Sequence, residues 1–246
     1  MKKWLWILAS LFLLLAAAFA FALRPAAVLV GDGIRLSRAE FSYYYWSEYF
    51  YFREAYGEYL SGTVDFSKPL DTQNYSGDMT WQDYLTEQAL SVAADTLAMS
   101  LAAEDAGFSL PPSYESALED TWNNFLSQSG GDLTEYLKRS YGQGAREDSF
   151  RLYLYRSHLA AAYADLLYDA ADPTDKEIED YYRSHAGEYL DEYGLTAEDS
   201  WQQQAREDLL AELARDELAR LRTERQFRVN YNAIKIVPPA GLYEEK

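Results

Sequence analysis

The chain opens its regular part with alternating and short apolar runs. Ala27-Val28-Leu29-Val30, Gly31-Asp32-Gly33 and Ile34-Arg35-Leu36 read as strand, tight turn and strand. Ser37-Arg38-Ala39-Glu40 has the form of a capping box, and apolar positions then recur at helical spacing, which predicts a helix over about 38–60. Residues 61–79 show no period and carry Gly, Pro, Asp and Asn, the pattern of a long loop. Further helices are predicted from Thr80 (with Asp83 at the box position) to about Ala106, from Pro111-Pro112 to Gly130-Gly131, over 132–141, and over 146–171. Thr174-Asp175-Lys176-Glu177 caps a helix to about Ala186. Residues 187–195 read as a linker, and Thr196-Ala197-Glu198-Asp199 caps a last helix to about Glu224. Trp201, Ala205, Leu209 and Leu213, with Leu210, Ala214, Leu218 and Leu221, form one apolar stripe along it. Residues 227–237 alternate apolar and polar side chains up to Pro238-Pro239, a strand pattern. A lone two-stranded hairpin is marginal in water, so the strands at the two ends are expected to pair. The expectation is a mainly α domain over residues 24–246, closed by a small antiparallel pairing of its terminal strands.

Before that domain, Met1-Lys2-Lys3 precedes an apolar run from Trp4 to Leu23 broken only by Ser10. At about 1.5 Å per residue, such a run has the length of a bilayer's hydrocarbon core. Ala20-Phe21-Ala22 also offers a small-x-small cleavage site. Residues 1–23 are therefore a signal peptide or an uncleaved anchor with its N-terminus inside, as the lysines favour. Both readings put the body outside the cytoplasm, as a secreted or membrane-anchored protein.

The first helix is unusually aromatic. At 100° per residue Phe41, Tyr45, Tyr49, Phe52, Tyr56 and Tyr59 share one face, which reads as core. Tyr43, Trp46 and Phe50 form a second strip opposite it, flanked by Tyr44 and Tyr51. A helix apolar all round is buried, or it shows one side to a ligand. The five residues of the second strip are accordingly either covered by another element or a surface for unfolded client chains, for which Tyr and Trp offer large contacts at low entropy cost.

Forty acidic against 22 basic residues give a formal charge of -18, a field that repels phosphate backbones and argues against nucleic acid as a partner. Cysteine is absent, which excludes disulfides, thiolate catalysis and Cys-ligated zinc. The two histidines, His158 and His185, sit in no nucleophile motif: the first reads as core or groove lining, the second as a favourable charge near a helix C-terminus. Acidic clusters such as Glu177, Glu179, Asp180 and Asp191-Glu192 lack calcium-loop spacing and read as solvated helix faces. No catalytic, cofactor or metal residues are assigned.

Val28 to Phe41, Pro69-Leu70-Asp71-Thr72-Gln73 with Thr80-Trp81-Gln82-Asp83-Tyr84, and Glu104 to Leu110 follow one another in an order that resembles the N-terminal chaperone domain of the SurA/PrsA/trigger-factor-like peptidyl-prolyl isomerases. The resemblance covers about residues 27–186 and, more loosely, 197–237. It implies a SurA N-terminal-domain-like helical body in a bacterial extracytoplasmic chaperone, with unfolded or partly folded secreted proteins as partners and no cofactor. Most members carry a parvulin isomerase domain after the segment matching Asp172–Glu188. Here the chain passes directly through the linker into its last helix, without a parvulin's glycine pair, histidines or final Gly-x-His strand. The implied function is chaperone or holdase binding without chemistry. The alternatives are a degenerate prolyl isomerase and an envelope-assembly scaffold with one fixed partner.

Overall fold

The computed structural model describes residues 26–189 and 201–243. Among them are seven helices, a three-stranded antiparallel sheet and a separate two-stranded hairpin. The leader at 1–23 and most of the linker at 187–195 lie outside the described residues.

β1 (Ala27–Gly31) turns at Asp32-Gly33 into β2 (Ile34–Ser37), with Leu29 opposite Leu36 and Gly31 opposite Ile34. Gly33 takes φ +76°, a conformation natural to glycine alone. β1 is the middle strand: its other edge pairs with β5 (Arg228–Val229), Leu29 opposite Val229. The expected closure of the two ends is thus present. Gly31 is required there, because a Cβ would come 2.5 Å from the ring of Phe227.

The strand predicted over 227–237 is shorter than its pattern. Only Arg228 and Val229 are in the ladder. The chain then makes a 3₁₀ turn over Tyr231–Ala233 and runs on unpaired, with buried Ala233 and half-buried Ile234 and Ile236 packed on the helical core. Alternation reports one buried side, and here that side faces helices instead of a neighbouring strand.

α1 (Arg38–Tyr56) starts at an N-cap where Ser37 Oγ accepts from the Glu40 N–H at 3.1 Å. The reciprocal half of the predicted capping box is missing. The Glu40 carboxylate instead turns inward and accepts from Arg156 Nη1 at 2.6 Å. The helix stops at Tyr56, four residues short of expectation, and irregular turns carry the chain to residue 63.

The segment expected as a long loop is ordered from within. Gln73 accepts from the Asp65 N–H at 2.7 Å and donates to the Asp65 carbonyl at 2.8 Å, so one side chain closes the loop as a strand partner would. Val64 and Leu70 plug into the core. A hairpin of β3 (Asn74–Ser76) and β4 (Met79–Thr80), turning at Gly77 with φ +59°, completes it.

α2 (Trp81–Asp105) carries the full Thr80–Asp83 capping box and is the central helix. Its Ala89, Ala93, Ala94, Ala98 and Ala103 are buried, and these short side chains let neighbouring helices approach closely. α3 (Pro112–Gln128), α4 (Leu133–Tyr141) and α5 (Glu147–Ala170) follow, α5 lying between α1, α2 and α3. α6 (Asp175–Ser184) opens on the second full capping box, Thr174–Glu177, and packs on α7 (Trp201–Arg225).

The apolar stripe of α7 is divided among different partners. Trp201, Ala205 and Leu209 join Ile178, Tyr181, Tyr182 and Tyr189 in a small cluster with α6. Leu218 and Leu221 join Ala98, Met99, Ala102 and Ala160 in the body. Between these two sets, Leu213 and Ala214 are exposed.

Candidate functional site

The second aromatic strip is not a surface. Tyr43 is enclosed by Tyr141, Phe150 and Tyr153, with ring centroids 5.0–5.5 Å away. Its hydroxyl donates to the Arg146 carbonyl at 2.7 Å and accepts from the Arg146 N–H at 2.8 Å. That burial holds the phenol well above its ordinary pKa. Tyr44 lies edge-on to Tyr153, and Trp46 is 1% exposed between Tyr45 and Tyr49. Phe50 is half-buried, with the Arg53 guanidinium 5.0 Å above its ring. Only Tyr51, 61% exposed, faces water.

The expectation of a client-binding strip of Tyr43, Tyr44, Trp46, Phe50 and Tyr51 is therefore corrected. α1 packs against α2, α4 and α5. A helix apolar all round is covered over residues 40–49 and opens to water beyond Phe50. The face read as core fails at its far end, where Tyr56 and Tyr59 are exposed.

An open apolar site exists elsewhere, where α7 crosses from its cluster with α6 to the body. Leu210, Leu213 and Ala214 of α7 face Ala164, Leu167 and Tyr168 of α5, with Met99 of α2 as the floor, around a groove of about 290 Å³. Tyr168 and Leu213 are 45% and 44% exposed. The single charged lining residue, Glu217, is occupied by Arg220. Small alanines leave the groove its width, and the Met and Leu side chains lining it can adapt to different shapes. The sequence signal was the unbroken stripe of α7, which is longer than any one partner that covers it.

The two histidines and the acidic clusters of the sequence have local partners. His158 Nδ1 lies 2.8 Å from the Leu154 carbonyl within its own helix. His185, at the C-terminus of α6 as anticipated, stacks on Tyr181 and meets the Tyr181 carbonyl at 2.9 Å. Glu177 is engaged in its cap, and Glu179 is paired with Arg183. Asp191-Glu192 lies outside the described residues. Among the described residues no three Asp, Glu or His side chains gather as a metal site. No helix among them is long and apolar enough to cross a membrane.

Glu40 and Arg156 form an internal ion pair, with Glu40 fully buried. Burial raises the Glu40 pKa above its ordinary 4.5, outweighing the opposing pull of Arg156. A carboxyl raised in the folded state contributes stability that is complete below its unfolded pKa and lost as pH rises through the folded value. Glu40→Gln keeps the shape and an acceptor for Arg156 without that loss. Its stability relative to the parent is expected to improve as pH rises from below 4.5 to neutrality, as read by denaturant unfolding at stepped pH.

Comparison of the chain with protein-family models, curated proteins and solved structures found no match.

Proposed function

We propose that this protein is an extracytoplasmic, membrane-proximal chaperone that holds unfolded secreted polypeptides without chemistry. The observation that carries the reading is the open groove between α5 and α7, walled by Ala, Leu, Met and Tyr168, with Glu217 its single charged residue. Such a site rewards burial of any apolar side chain and reads no particular sequence. The family resemblance of residues 27–186 points the same way, as does the apolar run at 4–23.

The test is suppression of aggregation for several unrelated unfolded proteins by the full chain. Leu213→Asp places a charge in the groove at an exposed helix position. Its expected cost in stability is within about 1 kcal/mol, since it removes little buried surface. Capture of unfolded protein is expected to weaken several-fold in the same variant. A chain that protects only one protein, in a tight stoichiometric complex, would replace the chaperone reading with that of a scaffold subunit.

A further inference from the structure

Where α1 ends, five aromatic rings follow one another in contact. Tyr51 meets Tyr56, Tyr56 meets Phe52, Phe52 meets Tyr84, and Tyr84 stacks on Tyr75, with neighbouring centroids 4.4–6.4 Å apart. The row joins the last turns of α1 to the first turn of α2 and to β3. Tyr51, Tyr56 and Tyr75 are exposed, whereas Phe52 and Tyr84 are half-buried beside them. Tyr84 and Met99 stand at opposite ends of α2, about 22 Å apart along its axis, so the row is separate from the α5–α7 groove.

The charge around the row has one sign. Residues 45–90 hold eight carboxylates against two cations, and neither α2 nor the β3–β4 hairpin contains Lys or Arg. Lys68 is held by Asp65 at 2.8 Å. The Arg53 guanidinium lies over Phe50 and Tyr49, 5.0 and 5.8 Å from their ring centres. Among the described residues Glu48, Glu54, Glu58 and Asp78 take part in no ion pair. Burial first, and then Tyr75, Tyr56 and Glu48, raise the pKa of the Tyr84 phenol, which places the Glu48 carboxylate beside the row.

We infer that this row binds an extended polypeptide segment carrying Arg or Lys at alternate positions. A guanidinium or ammonium group is attracted to the face of a tyrosine ring, and carboxylates nearby draw cations in from solution. Arg53 shows that attraction within the fold itself. Alternate side chains of an extended strand recur about every 6.8 Å, close to the spacing of the rings. A row of five rings therefore takes several cations in turn, where a small cation would cover one or two. The inference is independent of the groove and of what the groove holds.

The test uses the full chain in neutral maltoside micelles and follows the fluorescence anisotropy of labelled octapeptides. These alternate serine with arginine, glutamine or glutamate, in about 0.15 M salt, where the Debye length is about 8 Å. Saturable binding of the arginine peptide is expected, and none of the other two. Tyr56→Leu with Tyr75→Leu leaves every charge in place and is expected to weaken binding about fivefold or more at an unchanged melting temperature. Glu54→Gln with Asp78→Asn is expected to weaken it by a smaller factor, since exposed charges are screened. Tyr155→Leu, an equally exposed tyrosine on α5, is expected to change nothing. If the paired tyrosine variant is destabilised, Tyr51→Ala serves, with an expected loss of about twofold.

Absence of saturable binding overturns the inference. Binding that ignores the tyrosine substitutions overturns it as well, and assigns the peptide to diffuse attraction by an acidic protein. Equal binding of the glutamine peptide removes the cationic partner. A loss in Tyr155→Leu as large as in the paired variant moves the site away from the row. The titration reports on the row alone: its failure leaves capture of unfolded protein by the groove standing, and loss of that capture in Leu213→Asp leaves the titration unchanged.

Discussion

Removal of residues 227–246 is expected to abolish cooperative melting of the domain. The lost segment carries β5, whose pairing leaves β1 a central strand, and its absence turns β1 into an open edge. It also carries Phe227, Ala233, Ile234, Ile236 and Leu242, all packed on the main core. Gly142 gives a measure of how closely this tail is held: with φ +85°, it lies so near the Val237 carbonyl that a Cβ would stand 2.1 Å from the oxygen. Several half-buried aliphatic side chains at about 1 kcal/mol or more each reach the whole stability of an ordinary domain. Circular dichroism melts of the truncated and full chains check this. A truncated chain with an unchanged transition would mean that the tail merely lies on a body stable without it.

The second large effect is expected from Trp46. Truncation to Ala removes the largest fully buried side chain of the core, in contact with Tyr45, Tyr49 and Phe50, at a cost of about 3–5 kcal/mol. For a domain of this size that lowers the melting temperature by on the order of 10 °C. Tyr51→Ala, five residues on and largely exposed, is expected to change stability by no more than about 0.5 kcal/mol. The contrast distinguishes a covered helix from one with a free side, because a client-facing Trp46 would leave the melting temperature close to that of the Tyr51 variant. Equal small effects from both substitutions would restore the surface reading.

Helix positions were legible in the sequence because their ends are written in local chemistry. Thr80–Asp83 and Thr174–Glu177 form the boxes their spacing announced, and Gly107 and Gly142 stop their helices with positive φ. The pairing of the chain's ends was legible too, since two short strands needed partners. Phe41, Tyr45 and Tyr49 form the core face their spacing indicated, but some inferences about what lies against a face failed. Glu40 fits its capping-box spacing, yet a cation 116 residues away claimed its carboxylate. Tyr43 and Trp46 were as compatible with burial as with a surface, and only the position of α4, α5 and the tail decided. Gln73 acts as a strand for its loop, and no periodicity marks a single amide. The groove depends on where α7 leaves one partner before meeting the next, a fact of tertiary geometry alone.

The divided stripe of α7 has a consequence for how the molecule opens. Its first half shares a small aromatic cluster with α6, whereas its second half is fastened to α2, whose alanines are almost all buried. Protection of backbone amides against deuterium is expected to follow that division. Amides of α6 and the start of α7 exchange through a local opening that spares the sheet, while those in the middle of α2 exchange only when the whole domain unfolds. The residues of the groove lie at the boundary between these two cooperative units, so fraying on one side would widen the groove while its floor at Met99 stays in place.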